Sequence, residues 1–269
     1  MIQPGSVLQF GCGNMGGAML TGWLAGGFAP AAFTVVDPFL ASAPPGVRLL
    51  REGPIGEAPA QVVMLGFKPQ QLADAAAAVG LHVGPQTLVL SILAGADLGT
   101  LRGYFPGAAA IVRVMPNLAA ALGKSPIALF GDAAVEARQL TERLMAPLGI
   151  AEWLADEADM DLVTALAGSG PAFVYRFIDA LAEAAAKLGL PRAQADRLAL
   201  SMVEGAAALA AASPHAPGEL ARRVASPGGV TQVGIDVLDA ERRLVRLMED
   251  TLRGARDRSA EMTALARKD

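Results

Sequence analysis

Apolar residues recur along this chain with two different periods, and the change from one to the other divides it. In the first half, Val7–Phe10, Phe33–Val36, Val62–Leu65, Thr87–Ile92 and Ala110–Met115 are apolar almost throughout. Strands covered on both faces have this composition. Met15–Ala25, Gln70–Val79 and Leu98–Tyr104 lie between them and read as helices. Strand–helix alternation with short connections predicts a doubly wound, mostly parallel sheet. Pro126–Phe130 and Ile150–Leu154 extend that sheet, with a helix over Ala133–Leu144 between them.

The pattern changes near Asp156, and from Asp161 onward only helices are expected. Pro171–Leu188 starts with a proline in its first turn and stops at Gly189. Phe173, Phe177, Leu181, Ala184 and Leu188 mark one face, expected to be core. Pro191–Ala212 is a second helix. Another begins near Thr231, and Asp239 is expected to cap a last one carrying Leu244, Leu247, Met248, Thr251 and Leu252. The chain is thus read as an α/β Rossmann-like domain over 1–156 followed by an all-α domain over 157–269. The long alanine-rich helices of the second suit packing against another copy.

Composition narrows the chemistry. The net charge is −4 with no basic tract, which argues against a nucleic-acid surface. The single cysteine, Cys12, excludes an internal disulfide framework, and two distant histidines, His82 and His215, make a zinc site improbable. Both histidines are expected to face solvent. No metal is expected. No signal core and no membrane-length apolar run stands out, so a cytoplasmic setting is the default.

Gly11-Cys12-Gly13-Asn14-Met15-Gly16 follows the first strand and opens the first helix. A lone GxGxxG is weak, but this one has a strand before it, a helix after it and Asp37 closing the second strand. Gly11 permits the turn, Gly13 the approach of a pyrophosphate, and Gly16 close helix–strand packing. Asp37 can accept hydrogen bonds from an adenosine ribose. The motif points to NADH or NADPH. The Asp37 carboxylate and the lack of Arg or Lys over 37–41 favour NADH. Cys12 reads as a small filler.

Five further segments resemble pyrroline-5-carboxylate reductases in order and spacing: Gly66-Phe67-Lys68-Pro69, Ser91-Ile92-Leu93-Ala94-Gly95, Arg113-Val114-Met115-Pro116-Asn117, Thr164–Phe173, and Ser226-Pro227-Gly228-Gly229-Val230-Thr231. The resemblance runs from residue 7 to about residue 250. It implies reduction of 1-pyrroline-5-carboxylate to L-proline, the last step of proline biosynthesis. It implies a dinucleotide along Phe10–Met15, Asp37, Gly66, Phe67, Lys68, Pro69, Ile92, Leu93 and Ala94, with Asn117 near the nicotinamide. The substrate, a cyclic imino acid, would sit on Ser226, Gly228, Gly229, Val230 and Thr231, between the sheet's C-terminal edge and the helical domain. Homodimers or rings of dimers through the C-terminal helices are implied as well. The segment Arg51–Pro54 lacks the Asn or Asp that some members place near the adenine ribose.

A protonated imine needs a hydride, a grip on its carboxylate and a hydrogen bond to nitrogen, but no strong acid. Backbone N–H groups at Gly229, Val230 and Thr231 can hold a carboxylate at a helix start. The Thr231 hydroxyl can meet the ring nitrogen as catalytic group. Its bland role would be a helix cap. Ser169 reads as an N-cap beside Pro171, and Lys68 as a loop lysine acting through side chain or backbone. Two alternatives remain at this point. A β-hydroxyacid dehydrogenase would want a lysine on the central helix, where only Lys187 lies, at its far end. A non-catalytic dinucleotide sensor would not need the Pro-Gly-Gly loop.

Overall fold

The computed structural model describes residues 5–53 and 58–266. Among these, eight strands form one sheet: β1 Val7–Phe10, β2 Phe33–Val36, β3 Arg48–Leu50, β4 Val62–Leu65, β5 Leu88–Ser91, β6 Ala110–Met115, β7 Ser125–Gly131 and β8 Gly149–Trp153. Their spatial order is β3-β2-β1-β4-β5-β6-β7-β8. Only β6 and β7 pair antiparallel, with Met115 opposite Ala128. The order reverses beside β1, so the C-terminal ends of β1, β2 and β4 open a crevice where ligands of such sheets bind. The expectation of a doubly wound, mostly parallel sheet holds.

Alternate residues of each strand feed two cores. On one face, Met19, Leu20 and Trp23 of α1 (Asn14–Ala25) and Leu144 and Met145 of α4 (Val135–Met145) cover Val7, Phe33, Val35, Val62 and Met64. The Trp23 indole donates to the Leu144 carbonyl at 2.6 Å, so this large ring is buried without losing its hydrogen bond. On the other face, α2 (Leu72–Gly80) and α3 (Leu98–Tyr104) bring Leu72, Ala76, Val79 and Leu101 onto Leu8, Phe10, Val63 and Leu65.

The described chain divides into two compact units: residues up to Ser169 together with those from Ala255 on, and Gly170–Gly254. The first therefore takes in α5 (Met160–Val163), a π-helical turn over Thr164–Gly168 and the last turns of α10 (Arg243–Ala266). Asp161 accepts a hydrogen bond from the Ser259 hydroxyl at 2.7 Å, which fastens that end of α10.

The second unit holds α6 (Gly170–Lys187), α7 (Arg192–Ala212), α8 (Pro217–Val224), α9 (Val230–Asp239) and the start of α10. Ala182, Ala195 and Ala199 are its buried residues, packed with Ile178, Leu181 and Ala185. The expected core stripe is only partly inside. Phe177 is 50% exposed and Leu188 89% exposed.

Several local expectations are corrected. The strand β3 and the helix α8 were not legible as such. Ser169 has helical backbone angles and closes the π-helical turn, so it is not an N-cap. Asp239 ends α9; Glu241 and Arg242, both at positive φ, form the corner before α10. His82 does not face solvent: it is 4% exposed, with its ring 5.8 Å from that of Phe10. His215 is half-buried.

Candidate functional site

A cavity of about 540 Å³ lies at the sheet's switch point. Phe10, Gly11, Gly13, Asn14, Met15, Asp37, Gly66, Phe67 and Lys68 line it, joined by Val36, Pro38, Phe39, Gln71 and Ala75. The backbone explains the glycines one at a time. Gly11 sits at φ +85°, and a Cβ there would lie 2.6 Å from the Phe67 nitrogen. A Cβ on Gly16 would lie 2.8 Å from the Gln9 amide nitrogen and 2.9 Å from the Gly11 carbonyl. Gly13 differs: its φ is −69°, and a Cβ would meet nothing within 4 Å. Of these three, only Gly13 lacks an internal reason to be glycine, and it lines the cavity. Nor does any side chain cap α1, whose first N–H groups open beside it. A helix start left uncapped beside an open glycine suits an anionic diphosphate.

Asp37 is more committed than its position in the sequence suggests. One carboxylate oxygen accepts from the Cys12 N–H at 2.8 Å. The other accepts from the Phe39 and Leu40 N–H groups at 2.8 and 3.1 Å. The acid thereby ties the glycine loop to the turn after β2. A carboxylate has about four acceptor positions, so it can still receive a hydroxyl. Beneath the loop, Gln9 is fully buried and its amide oxygen finds no partner among the described residues, while its nitrogen donates to the Gly11 carbonyl at 3.0 Å. Burial, and then the Asp37 charge, push the Cys12 thiol above its ordinary range, with Gln9 acting the other way. A neutral, core-facing thiol agrees with its role as filler.

Not every expected residue lines this cavity. Cys12 and Gly16 support the loop from within. Pro69 opens a short turn in which the Gln71 side chain accepts from the Lys68 N–H at 3.0 Å. Pro69 and Ala94 line a neighbouring cavity of about 320 Å³ with Tyr104 and Arg258. Leu93 is buried and Ile92 half-buried. Asn117 is 7% exposed, and both ends of its amide are used: the nitrogen donates to the Ala167 carbonyl at 2.9 Å and the oxygen accepts from the Ala119 N–H at 2.9 Å. It satisfies a carbonyl within the π-helical turn, a kind of turn common at functional sites. Close by, the buried Arg113 guanidinium pairs with Glu157 at 2.7 Å, and the same Glu157 oxygen receives the Leu98 N–H that opens α3.

In the second unit, Ser226–Gly229 is a tight turn closed by the Gly229 N–H on the Ser226 carbonyl at 2.9 Å. Gly228 lies at φ +71° after Pro227, as a type II turn requires. A Cβ on Gly229 would lie 2.5 Å from the Ser226 hydroxyl oxygen. Gly229 caps α9 without any side-chain hydrogen bond, which puts Thr231 second in the helix. Thr231 is exposed and its hydroxyl has no hydrogen bond among the described residues. The cap role for Thr231 is therefore excluded.

Comparison with known proteins decides the family. A family profile described as pyrroline-5-carboxylate reductase dimerisation matches residues 157–262. The pyrroline-5-carboxylate reductase of Pseudomonas aeruginosa is 36% identical over 94% of each chain, and that of Methanosarcina acetivorans 34% identical over 94% of this chain and 96% of its own. The chain belongs to the pyrroline-5-carboxylate reductase family. A solved pyrroline-5-carboxylate reductase from Coxiella burnetii, 28% identical, superposes with a TM-score of 0.89 over 97% of this chain and 99% of its own. The Plasmodium falciparum structure, solved with NADP bound, shares the fold at a TM-score of 0.80 and 22% identity.

Within this reductase fold, several residues that line the cavity, and one that lies outside its lining, went unread in the sequence. Gln71, three residues after Lys68, has the spacing of a capping partner. Phe39, 87% exposed on the cavity wall, follows the strand-end acid by two residues. Ala75 faces the cavity from α2. Arg51 reaches the turn after β2 from just past the end of β3, and nothing local signals it.

Proposed function

We propose that this chain reduces 1-pyrroline-5-carboxylate to L-proline with a reduced nicotinamide dinucleotide, completing proline biosynthesis in the cytoplasm. One observation carries the reading: an uncapped helix start beside a glycine with no internal reason to be glycine, in a chain 36% identical to a pyrroline-5-carboxylate reductase along nearly its whole length. The cavity of the first unit takes the dinucleotide, through Phe10–Met15, Asp37 and Gly66–Lys68, with Pro69 and Ile92–Ala94 continuing its path. Asn117 holds the backbone near the nicotinamide end. When bound there, the dinucleotide supplies the hydride.

The chain's own residues do the rest. The Gly229 N–H, expected from the sequence to hold the substrate carboxylate, is instead spent on the Ser226 carbonyl at 2.9 Å, so the N–H groups of Val230 and Thr231 bind that carboxylate at the start of α9, where the helix dipole favours an anion. Ser226 and Gly228 set the turn that aims them. The Thr231 hydroxyl hydrogen-bonds the ring nitrogen as it turns tetrahedral. An acid is unnecessary, because the protonated imine is already electrophilic, and most of the rate comes from orientation. What supports Thr231 is its open hydroxyl at the second position of a helix whose N-cap, Gly229, makes no side-chain hydrogen bond.

NADH is favoured over NADPH. The Asp37 carboxylate lines the cavity and repels a 2′-phosphate, and no Arg lines the cavity among the described residues. The working unit is a homodimer formed by the helical part 157–269, or a ring of such dimers. Exposed apolar residues on its helices, Leu198, Leu209 and Leu247 among them, support this. A β-hydroxyacid dehydrogenase fits less well, since the one lysine of α6, Lys187, pairs with Glu183 in the last turn. Oxidation of proline at high pH, set against serine and 3-hydroxyisobutyrate, tests the reading. Turnover of proline alone is expected; turnover of either hydroxy acid in its place overturns it.

A further inference from the structure

The turn after β2 is held from two sides. From within, the Asp37 carboxylate gathers the N–H groups of Cys12, Phe39 and Leu40. From the other side, Arg51 Nη1 donates to the carbonyls of Asp37 and Pro38 at 3.2 Å each and of Leu40 at 2.5 Å. Three carbonyl oxygens of one turn thus converge on a single nitrogen. Such oxygens repel one another unless a cation or water separates them, and an arginine stays charged at every accessible pH. The strand pairing adds to this: the Asp37 N–H donates to the Leu50 carbonyl at 3.0 Å, so Arg51 follows directly on the residue that registers Asp37 against β3.

We infer that Arg51 is a positioning residue for the adenosine end of the dinucleotide: by clasping the Asp37–Leu40 turn it presents the Asp37 carboxylate to the ribose hydroxyls and so maintains the preference for the unphosphorylated cofactor. The inference rests on the dinucleotide reading of the cavity. It explains how a chain with no Asn or Asp over Arg51–Gly53 can still organise the ribose site, using a side chain that acts on the backbone; Pro54 lies outside the described residues. It also gives the nearby guanidinium a task other than phosphate binding. Among the described residues Nη1 is the Arg51 nitrogen that is hydrogen-bonded, and Arg51 is absent from the cavity lining. Without the clasp, the Asx-type turn made by Asp37 must hold the loop alone. Asp37 then samples other positions, NADH loses its acceptor, and the repulsion against a 2′-phosphate weakens together with it.

Binding without turnover tests this. NADH and NADPH are titrated by fluorescence into wild-type protein, Arg51→Ala and Arg51→Lys, with no imino acid present. Amide hydrogen exchange is followed at Phe39 and Leu40, and steady-state kinetics separate KM from kcat. Arg51→Ala should raise the NADH Kd about 5-fold or more, the effect of losing roughly 1 kcal/mol of hydrogen bonding. The NADPH Kd should change less, so that the ratio of the two narrows. Exchange at Phe39 and Leu40 should quicken, kcat should hold, and Arg51→Lys, which keeps a cation that can donate to the same carbonyls, should recover most of the loss. An equal or greater loss for NADPH means that Arg51 binds the phosphate itself, and overturns the inference. Unchanged NADH binding and unchanged exchange overturn it too. Wild-type protein that binds neither dinucleotide overturns the reading of the cavity, and the inference with it.

Discussion

Replacing Gly13 by alanine separates binding from stability. At φ −69° and ψ −161° its backbone is open to any residue, and the added methyl meets no atom within 4 Å. Alanine there should stabilise by about 0.4–1 kcal/mol through the unfolded chain, less about 0.5–1 kcal/mol for a poorer N-cap than glycine. The net is near zero, so Tm should stay within roughly 2–4 °C of wild type. The methyl does occupy the cavity wall where the diphosphate must come close. Overpacking of that kind costs about 1–3 kcal/mol, or roughly 5- to 150-fold in Kd. Gly16→Ala supplies the opposite case. Its methyl would lie 2.9 Å from the Gly11 carbonyl, and because that atom is backbone, the loop itself has to shift. It should lose about 1–3 kcal/mol of stability, at roughly 2–4 °C of Tm for each kcal/mol. Thermal melts of the free proteins and NADH titrations of both variants provide the readout. A Gly13→Ala protein that binds NADH as wild type does would refute the placement of the diphosphate. One that loses binding only in step with Tm would refute the claim that Gly13 is free of a packing role.

Thr231→Ala should lower kcat by roughly 5- to 150-fold, the worth of one hydrogen bond of about 1–3 kcal/mol made in the transition state, while Thr231→Ser keeps most activity. Because Gly229 and not Thr231 caps α9, Tm should not move, and wild-type kcat in the alanine variant would contradict the assignment. Cys12 carries a thiol pushed upward by burial. A raised value favours the neutral form in the fold, so its contribution to stability is complete below the ordinary thiol range and fades as pH rises through the folded value. Wild type should therefore lose Tm more steeply than Cys12→Ala above about pH 9, and parallel curves would remove that role. Light scattering should find a dimer or larger at micromolar concentration; an active, monodisperse monomer would contradict the assembly. His82→Ala should lower Tm through lost packing on Phe10 but leave the pH profile of kcat unchanged, and a displaced profile would bring back an imidazole acid.

Much of the fold could be read from the chain because its signals are local. Buried parallel strands are runs of apolar residues, and α3 begins and ends where its sequence says, with Asp97 accepting from the Thr100 N–H at 2.7 Å as its cap. What was missed depends on distant partners. β3 has three residues on the sheet edge and exposes Arg48, so it carries no apolar run. The helix α8 is only eight residues long, and Glu219, Arg222 and Arg223 leave it polar on average, too short for a periodic apolar pattern to stand out. A π-helical turn keeps nearly the same apolar spacing as an α-helix, and what sets Thr164–Gly168 apart is that Asn117 reaches one of its carbonyls from 50 positions away. His82 was misjudged because a polar residue in a connecting segment ordinarily faces water, whereas here it fills the space beside Phe10 and Gly53. The glycine loop and Asp37 were readable as a motif. The commitment of Asp37 to three backbone donors, and the reach of Arg51 to the same turn, appear only once β2 and β3 lie side by side.

The central claim is hydride transfer to the cyclic imine, and an isotope measurement tests it most directly. Purified protein is given 1-pyrroline-5-carboxylate and NADH carrying deuterium at the transferable position of the nicotinamide. The product is analysed by mass spectrometry and NMR. The account predicts L-proline with one deuterium, on the ring carbon that was double-bonded to nitrogen. Proline without label, or unreacted imine beside a dinucleotide that remains reduced, would contradict it.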